Sequence, residues 1–324
     1  MTTQPGIRKI EIIGQDDESI IVYPKDKANR GVHLAEGQVA GLWETREKQT
    51  WKSGARTKGS KPKNRKFLAQ DMELGFHVID TPGHQYEENE SYLIQAIGFE
   101  LDKYDDDAKY AKIAVHTDLS GVRYRDIVQY EERQFTPKQD PIMQQHGNTI
   151  LKLRSGQPDW YELNDKGQPF QVRGYNFTSD GWGEVEVSNP TNREMVVNWV
   201  CTGPAAGEDG VLYTLPDFSW RGKKGARAPG GADEGRFLPS PAITYAHGGL
   251  VITVGDPDEL PVRDFHGTNI IALFGGKHFM YKIPPYTQPQ MLPIHAANVP
   301  SAGCRVELRQ SRFWQQPWGG HLVS

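Results

Sequence analysis

Trp182-Gly183-Glu184-Val185-Glu186-Val187, then Ser188-Asn189-Pro190-Thr191-Asn192, then Met195-Val196-Val197-Asn198-Trp199-Val200-Cys201, is the stretch that decides the fold class. In the first run Val185 and Val187 share one side and Glu184 and Glu186 the other, the two-residue period of a half-buried strand. In the third run Val197, Trp199 and Cys201 share a side. The Asn-Pro turn between them makes the pair a hairpin or a tight corner. The same period returns at residues 305–309, where Val306 and Leu308 point inward and Arg305, Glu307 and Arg309 point out.

Working outward, further strands are expected at residues 10–13, 20–23, 72–79, 112–116, 127–130, 250–254, 270–274 and 279–283. One helix is expected over residues 86–99. Glu87, Glu88 and Glu90 suit its positive N-terminus, Leu93 and Ile97 lie four apart on one face, and Gly98 ends it. The fold class is therefore mainly β, with one helix in the N-terminal half. Thr136-Pro137-Lys138-Gln139-Asp140-Pro141 and the polar residues 144–148 mark a boundary. A Pro-rich zone at 283–293 reads as the point where the chain returns to its first domain. The expected domains are 1–145, completed by 284–324, and 146–283.

Composition narrows the function classes. The 324 residues carry 37 Lys plus Arg against 41 Asp plus Glu, a formal charge of −4. That near-balance argues against a chain that coats a polyanion. Gly (34) and Pro (22) follow no fixed period, which excludes collagen and short-repeat solenoids. Aromatics at 10% are too many for a disordered chain, while apolar residues at 37% are few for a globular one. The clean apolar run 270–274 is far short of the ~20 residues of a spanning helix, so no membrane is expected. Met1-Thr2-Thr3-Gln4-Pro5-Gly6 leads to charge at Arg8 without an apolar stretch, and no secretory leader is expected. Cys201 and Cys304 read as two free thiols of a chain made in a reducing cytoplasm.

Catalytic and cofactor motifs are missing: no GxxxxGK[ST], no GxGxxG after a strand, no HExxH, GxSxG or CxxC. His77, His84 and Glu87 lack zinc spacing and read as surface residues. Asp256, Asp258 and Glu259 are too few for a calcium loop and read as a solvated turn. Adjacent Asp105, Asp106 and Asp107 do not converge on one bond and read as an acidic loop. No catalytic residue, cofactor site or metal site is expected.

Charge is unevenly placed. Arg46, Lys48, Lys52, Arg56, Lys58, Lys61, Lys63, Arg65 and Lys66 are opposed by Glu44 and Glu47 alone, with Trp43 and Trp51 interleaved. Three readings fit: phosphate contacts and base stacking on nucleic acid, a solvated loop, or a docking arm that orders against an acidic neighbour. Asp102 to Asp107 on another copy offers such a neighbour, with Lys61, Lys63 and Arg65 facing Asp105, Asp106 and Asp107. The segment is expected to be mobile in the monomer and ordered in an assembly, and nucleic acid is not an expected partner. Of Trp160, Trp182, Trp199 and Trp220, Trp199 reads as core. Trp182, between glycines at a strand start, reads as exposed and as the candidate glycan contact.

The order of several longer words carries a resemblance. Asp180-Gly181-Trp182-Gly183-Glu184-Val185 leads to Ser188-Asn189-Pro190-Thr191, Trp199-Val200-Cys201-Thr202 and Thr214-Leu215-Pro216-Asp217-Phe218-Ser219-Trp220. Tyr281-Lys282-Ile283-Pro284-Pro285-Tyr286-Thr287 and Trp314-Gln315-Gln316-Pro317-Trp318-Gly319 follow. The opening Gly6-Ile7-Arg8-Lys9-Ile10 and His77-Val78-Ile79-Asp80-Thr81-Pro82 fit the same pattern. Together these resemble the minor tail proteins of long-tailed phages (siphophages) that infect mycobacteria and related actinobacteria, a group similar to the distal tail protein (Dit). The resemblance implies an N-terminal belt domain that forms a hexameric ring and a galectin-like C-terminal β-sandwich on its outside. It implies a structural virion component joining tail tube to tail tip. Expected partners are further copies of the chain, the tail tube protein, tail-tip or baseplate hub proteins, and the tape measure protein. No catalytic residues come with it. The alternative is a carbohydrate-binding tail adaptor on the host envelope, and the basic segment has no counterpart to place it by.

Overall fold

The computed structural model describes residues 6–54, 58–133, 137, 139–217, 225–256 and 258–320. Arg56 and Trp220 lie outside the described residues. The described residues divide into two compact units, one up to residue 161 together with 314–320, and one of residues 162–313. Each has its own apolar core.

The first unit is built from β1 (Ile7–Ile13), β2 (Ser19–Tyr23), β3 (Val32–Ala40), β4 (Glu47–Lys52), β5 (Lys61–Phe67), β6 (Gln70–Ile79), α1 (Tyr86–Ile97), β7 (Ala111–Thr117), β8 (Gly121–Gln129), α2 (Pro141–Gln144), β9 (His146–Ser155) and β10 (Trp160–Tyr161). Its large sheet runs β2-β1-β7-β8-β9-β6-β3, and β10 pairs with β8. The end strands β2 and β3 pack against each other, so the sheet curls round on itself. Ile12, Leu74, Phe76, Ile113, Leu151 and Leu153 line the enclosed face. Helix α1 packs on β3, β6, β7 and β8. Its start is fixed twice: the Asp80 carboxylate accepts from the Tyr86 N–H at 2.6 Å, and Glu88 accepts from the Gln85 N–H at 3.1 Å. Gly98 takes a positive φ of 65° just past its end.

The second unit holds β11 (Gln171–Phe177), β12 (Gly181–Asn189), β13 (Val197–Thr202), β14 (Leu212–Pro216), β15 (Phe237–Pro239), β16 (Gly249–Val254), β17 (Val262–Asp264), β18 (Thr287–Ala297) and β19 (Cys304–Gln310). A five-stranded sheet, β11-β19-β13-β16-β17, and a four-stranded one, β12-β18-β14-β15, share one core. This is a β-sandwich. Val185, Val187, Leu292 and Ile294 face Val197, Trp199, Ile252 and Leu308 across it. The Asn-Pro turn is a corner rather than a hairpin, because β12 and β13 belong to different sheets. Asn189 holds it: its Nδ2 donates to the carbonyls of Arg193 (2.8 Å) and Pro284 (2.9 Å), and its Oδ1 accepts from Thr191 Oγ1 at 2.9 Å. A last strand, β20 (Phe313–Trp314), carries the chain back to the first unit and pairs with β10.

Three expectations are corrected. Residues 271–274 form a 3-10 turn closed by Gly275 at φ 60°, not a strand; a short apolar run fits either form. Residues 279–283 make a single bridge among the described residues, Met195 to Ile283. The division also falls elsewhere than 145 and 284. Strand β9, residues 146–155, pairs with β6 over its full length, inside the first unit. The Pro-rich zone forms β18 of the sandwich, and the return begins at 314. Pro289 and Pro293 are tolerated because β14 pairs with β18 only from His295 onward, which leaves the proline stretch with one neighbour.

Glu11 on β1 gives the first unit an acid-sensitive point. Burial pushes its carboxyl up, but Lys9 Nζ at 2.8 Å, Ser19 Oγ at 2.5 Å and His116 Nε2 at 2.5 Å outweigh that, and the net direction is down from 4.5. A depressed carboxyl contributes stability that is complete above the unfolded value and lost as pH falls through the folded one. The melting temperature of the first unit should therefore drop more gently below pH 4.5 in Glu11→Gln than in the parent. Parallel acid-side curves would exclude this role.

Candidate assembly interface

Strands β4 and β5 form a separate two-stranded ribbon, an arm outside the three larger sheets. Within the basic segment, for which a solvated loop was one reading, residues 47–52 and 61–67 take strand backbone. The period-two signal fails here because every residue of β5 is exposed, so no buried face exists to mark it. The register places Lys48 opposite Lys66 and Lys52 opposite Lys61, and a shift beyond Thr50 leaves Lys63 as an extra residue. Like charges directly opposite each other destabilise a ribbon by about 0.2–1 kcal/mol. Arg65 is spent on Glu47, whose Oε2 accepts from its Nε at 2.6 Å. Lys48, Lys52, Lys61, Lys63 and Lys66 have no ion pair among the described residues. Trp51 and Phe67 are exposed on the same arm. A ribbon that buries nothing is marginal by itself in water.

An acidic end lies elsewhere on the first unit. The Gln15 N–H donates to the Ala96 carbonyl at 3.0 Å and Gln15 Nε2 donates to the Glu100 carbonyl at 3.2 Å, while Lys109 pairs with Asp17. These bonds bring residues 14–18 against residues 96–109. Asp16, Asp17 and Glu18 therefore join Glu100, Asp102, Asp105, Asp106 and Asp107. The Asp102 and Asp105 carboxylates accept from the N–H groups of Tyr104 and Asp107, each at 2.9 Å, and hold turns that leave the Tyr104 side chain 98% exposed. Asp106 and Asp107 have no ion pair among the described residues. No ion pair joins the arm to this end within the chain, again among the described residues.

On the second unit Trp182 is 61% exposed. Its ring lies 5.0 Å from that of His295 and meets Phe237 edge-on at 5.8 Å, so the indole is held rather than free. Trp199 and Trp160 are buried. Neither metal candidate assembles: His77 packs on His33 at 5.5 Å, His84 sits 3.6 Å from Glu88, and Asp256 Oδ1 accepts from the Asp258 N–H at 3.0 Å in an exposed turn. No group of three possible metal ligands occurs among the described residues. The indentation beside Trp199, Asp217 and Tyr281 has room for about one water. Among the described residues no helix is long and apolar enough to cross a membrane.

No family model matches the chain. In sequence it is 26% identical over 250 residues to the minor tail protein Gp27 of Mycobacterium phage D29, covering 65% of this chain and 70% of that one. In fold it aligns over 93% of its length with 98% of the Dit protein (gp 19.1) of phage SPP1, described as a hub adsorption apparatus protein, at a TM-score of 0.50 and 10% identity. The chain is thus similar in sequence to a phage minor tail protein and has a Dit-like fold. A chain of the phage p2 baseplate in its activated conformation aligns over 93% of this chain and 98% of its own, with a TM-score of 0.43 and 12% identity.

Of the residues singled out in sequence, the Dit-like fold places Lys61 and Lys63 on the arm without an ion pair among the described residues, Arg65 in an internal pair, and Asp105, Asp106 and Asp107 at the acidic end. It adds Asp16, Asp17 and Glu18, which local sequence gives no reason to join to residues 85 positions away. It also adds Arg123 and Arg125, both fully buried on β8. The one sequence signal for these two is their alternation with Val122 and Tyr124, which reads by default as a polar outer face.

Proposed function

We propose that this Dit-like chain is a structural subunit of a phage tail that closes with further copies into a ring, of six by the resemblance, between tail tube and tail tip. The observation that carries this reading is the arm: a ribbon with no buried residue on β5 and unpaired cations, on a chain with a hub-protein fold. The acidic end of the next copy is its receptor, and the contact is head-to-tail, the kind that closes into rings when the rotation permits. Partners beyond the chain itself are the tail tube protein, tail-tip or baseplate hub proteins and the tape measure protein. The particle is built in the host cytoplasm and carried in the virion, and the role is structural rather than catalytic. Light scattering of the purified protein should give a particle mass of six times 36.5 kDa. A protomer-sized mass at every concentration and salt, together with absence from the tail tip in virion images, would sink it.

The held, exposed indole of Trp182 favours a second, compatible reading, in which the sandwich contacts host-envelope polysaccharide. A ring fixed by His295 and Phe237 loses little entropy on stacking against a sugar, and Glu184 on the same strand face offers hydroxyl contacts. Trp182→Ala should lower binding to host cell-wall polysaccharide about tenfold, the effect of roughly one stacking contact. Equal binding by parent and variant would exclude the site.

A further inference from the structure

Arg123 and Arg125 stand on the same face of β8, and that face is the interior of the first unit. A buried cation persists only when hydrogen-bonded, and here carbonyl oxygens do the holding. Arg125 donates from Nη1 to the Leu42 carbonyl at 2.9 Å, and from Nη2 to those of Glu44 at 3.0 Å and Pro158 at 2.7 Å. Its guanidinium lies 4.4 Å from the ring centre of Trp160. Arg123 donates to the carbonyls of Gln316 at 2.7 Å and Gly319 at 2.9 Å, and lies 3.7 Å from the ring centre of Trp314.

The bonded carbonyls come from the leading leg of the arm (Leu42, Glu44), from the segment before the first crossing (Pro158), and from the return (Gln316, Gly319). Leg and return also meet directly. Thr45 Oγ1 donates to the Gln315 carbonyl at 2.6 Å across 270 residues of sequence, and the rings of Trp43 and Trp318 lie 5.2 Å apart. Gly41, where the leg leaves β3, takes φ +72°, and a Cβ there would lie 2.2 Å from the Asp71 carbonyl oxygen. The two legs are joined to each other by the Leu68 N–H, which donates to the Arg46 carbonyl at 3.0 Å, and Arg46 also ties the leading leg to Asp71 of β6 at 2.6 Å.

We propose that residues 314–319 are a latch that sets the direction of the arm, with Thr45, Trp318 and the Arg123–Arg125 pair as positioning residues for assembly. The part concerning assembly rests on the arm being the ring contact. Undocked, the return leaves the leading leg anchored by buried Leu42, by Arg125 and by the Arg46–Asp71 pair, but without the Thr45–Gln315 bond and the Trp43–Trp318 contact that fix residues 43–45, so the arm loses its set direction instead of melting. An arm with no fixed direction cannot present several cations to one receptor at once. Chains in which the return has not yet been made or docked are thereby kept from joining a ring.

The test uses the full chain with Thr45→Val and Trp318→Ala combined, Thr45→Ser as the conservative control, and Arg123→Lys as a milder second variant. Amide exchange at residues 43–46 and along β4 should rise about tenfold while β6 and β9 keep their protection, as local opening requires. The fraction of protein in rings at fixed concentration should fall about tenfold, the consequence of losing a hydrogen bond and a ring contact. Thr45→Ser should behave as the parent, and Arg123→Lys should move both readouts in the same direction. Unchanged exchange at residues 43–46 in either folded variant overturns the latch. Raised exchange with rings intact overturns its role in assembly. Raised exchange in a chain whose parent makes no rings supports the latch while removing the ring reading, so the two failures are separable.

Discussion

Reversing Lys61 and Lys63 to glutamate is expected to empty the ring population at low salt, and reversing Asp106 and Asp107 to lysine in the same chain is expected to restore part of it. Each exposed pair contributes only ~0–1 kcal/mol. Reversal, however, replaces attraction by repulsion at two positions on an arm already strained by facing lysines, and every ring contact repeats it. The structure improves the choice of residues. Arg65 is engaged with Glu47, so Arg65→Glu would set two carboxylates side by side within the arm and unfold it for an unrelated reason. Asp105 holds the turn to Asp107 through its carboxylate and is best left in place. Light scattering between about 0.05 and 0.3 M salt reads the outcome, since surface charge is largely screened beyond ~10 Å at 0.1 M. Rings unaffected by the lysine reversals would remove the charge-pairing contact. Rings lost but not recovered by the compensating reversals would place the receptor elsewhere.

Trp199→Ala should produce the largest stability loss of any single substitution in the second unit. The side chain is fully buried on β13, between Ile252 on β16 and Leu308 on β19. Truncating a buried Trp costs about 3–5 kcal/mol through lost transfer energy and the cavity left behind. At about 2–4 °C per kcal/mol for a unit of this size, the transition should fall by roughly 6–20 °C. The two units have separate cores, so calorimetry should show one transition moving and one standing still. Rings built through the arm should persist below the lowered transition. A single transition that moves as a whole would mean that the units unfold together.

What could be read from sequence follows from which strands have one wet and one dry face. Strands β12, β13 and β19 alternate cleanly because one side meets the sandwich core, and α1 shows its cap and its Gly98 stop in plain sequence. The arm could not be read this way. A ribbon with two wet faces has no apolar period, and its lysines suit a loop equally well. Residues 271–274 failed for the opposite reason, since a short run of apolar residues carries no period at all. The acidic end was half visible: Asp105 to Asp107 are adjacent in sequence, whereas Asp16 to Glu18 join them only once β1 and β7 have paired. Arg123 and Arg125 were invisible because a buried guanidinium depends on carbonyls far along the chain, and no local pattern announces them.

The pairing of β10 with β20 has a consequence for how such chains diversify. The polypeptide leaves the first unit just after Tyr161 and comes back at Trp314, along two strands that lie side by side. Paired strands run about 5 Å apart. Exit and return therefore form a single socket, and whatever is spliced between them needs only two neighbouring ends. The whole sandwich can be exchanged for another module, or cut down to a short turn, without disturbing the pairing within the curled sheet of the first unit. Domain insertions succeed at sites of this kind. A lineage can in this way change its second unit by recombination at one locus while the first stays the same.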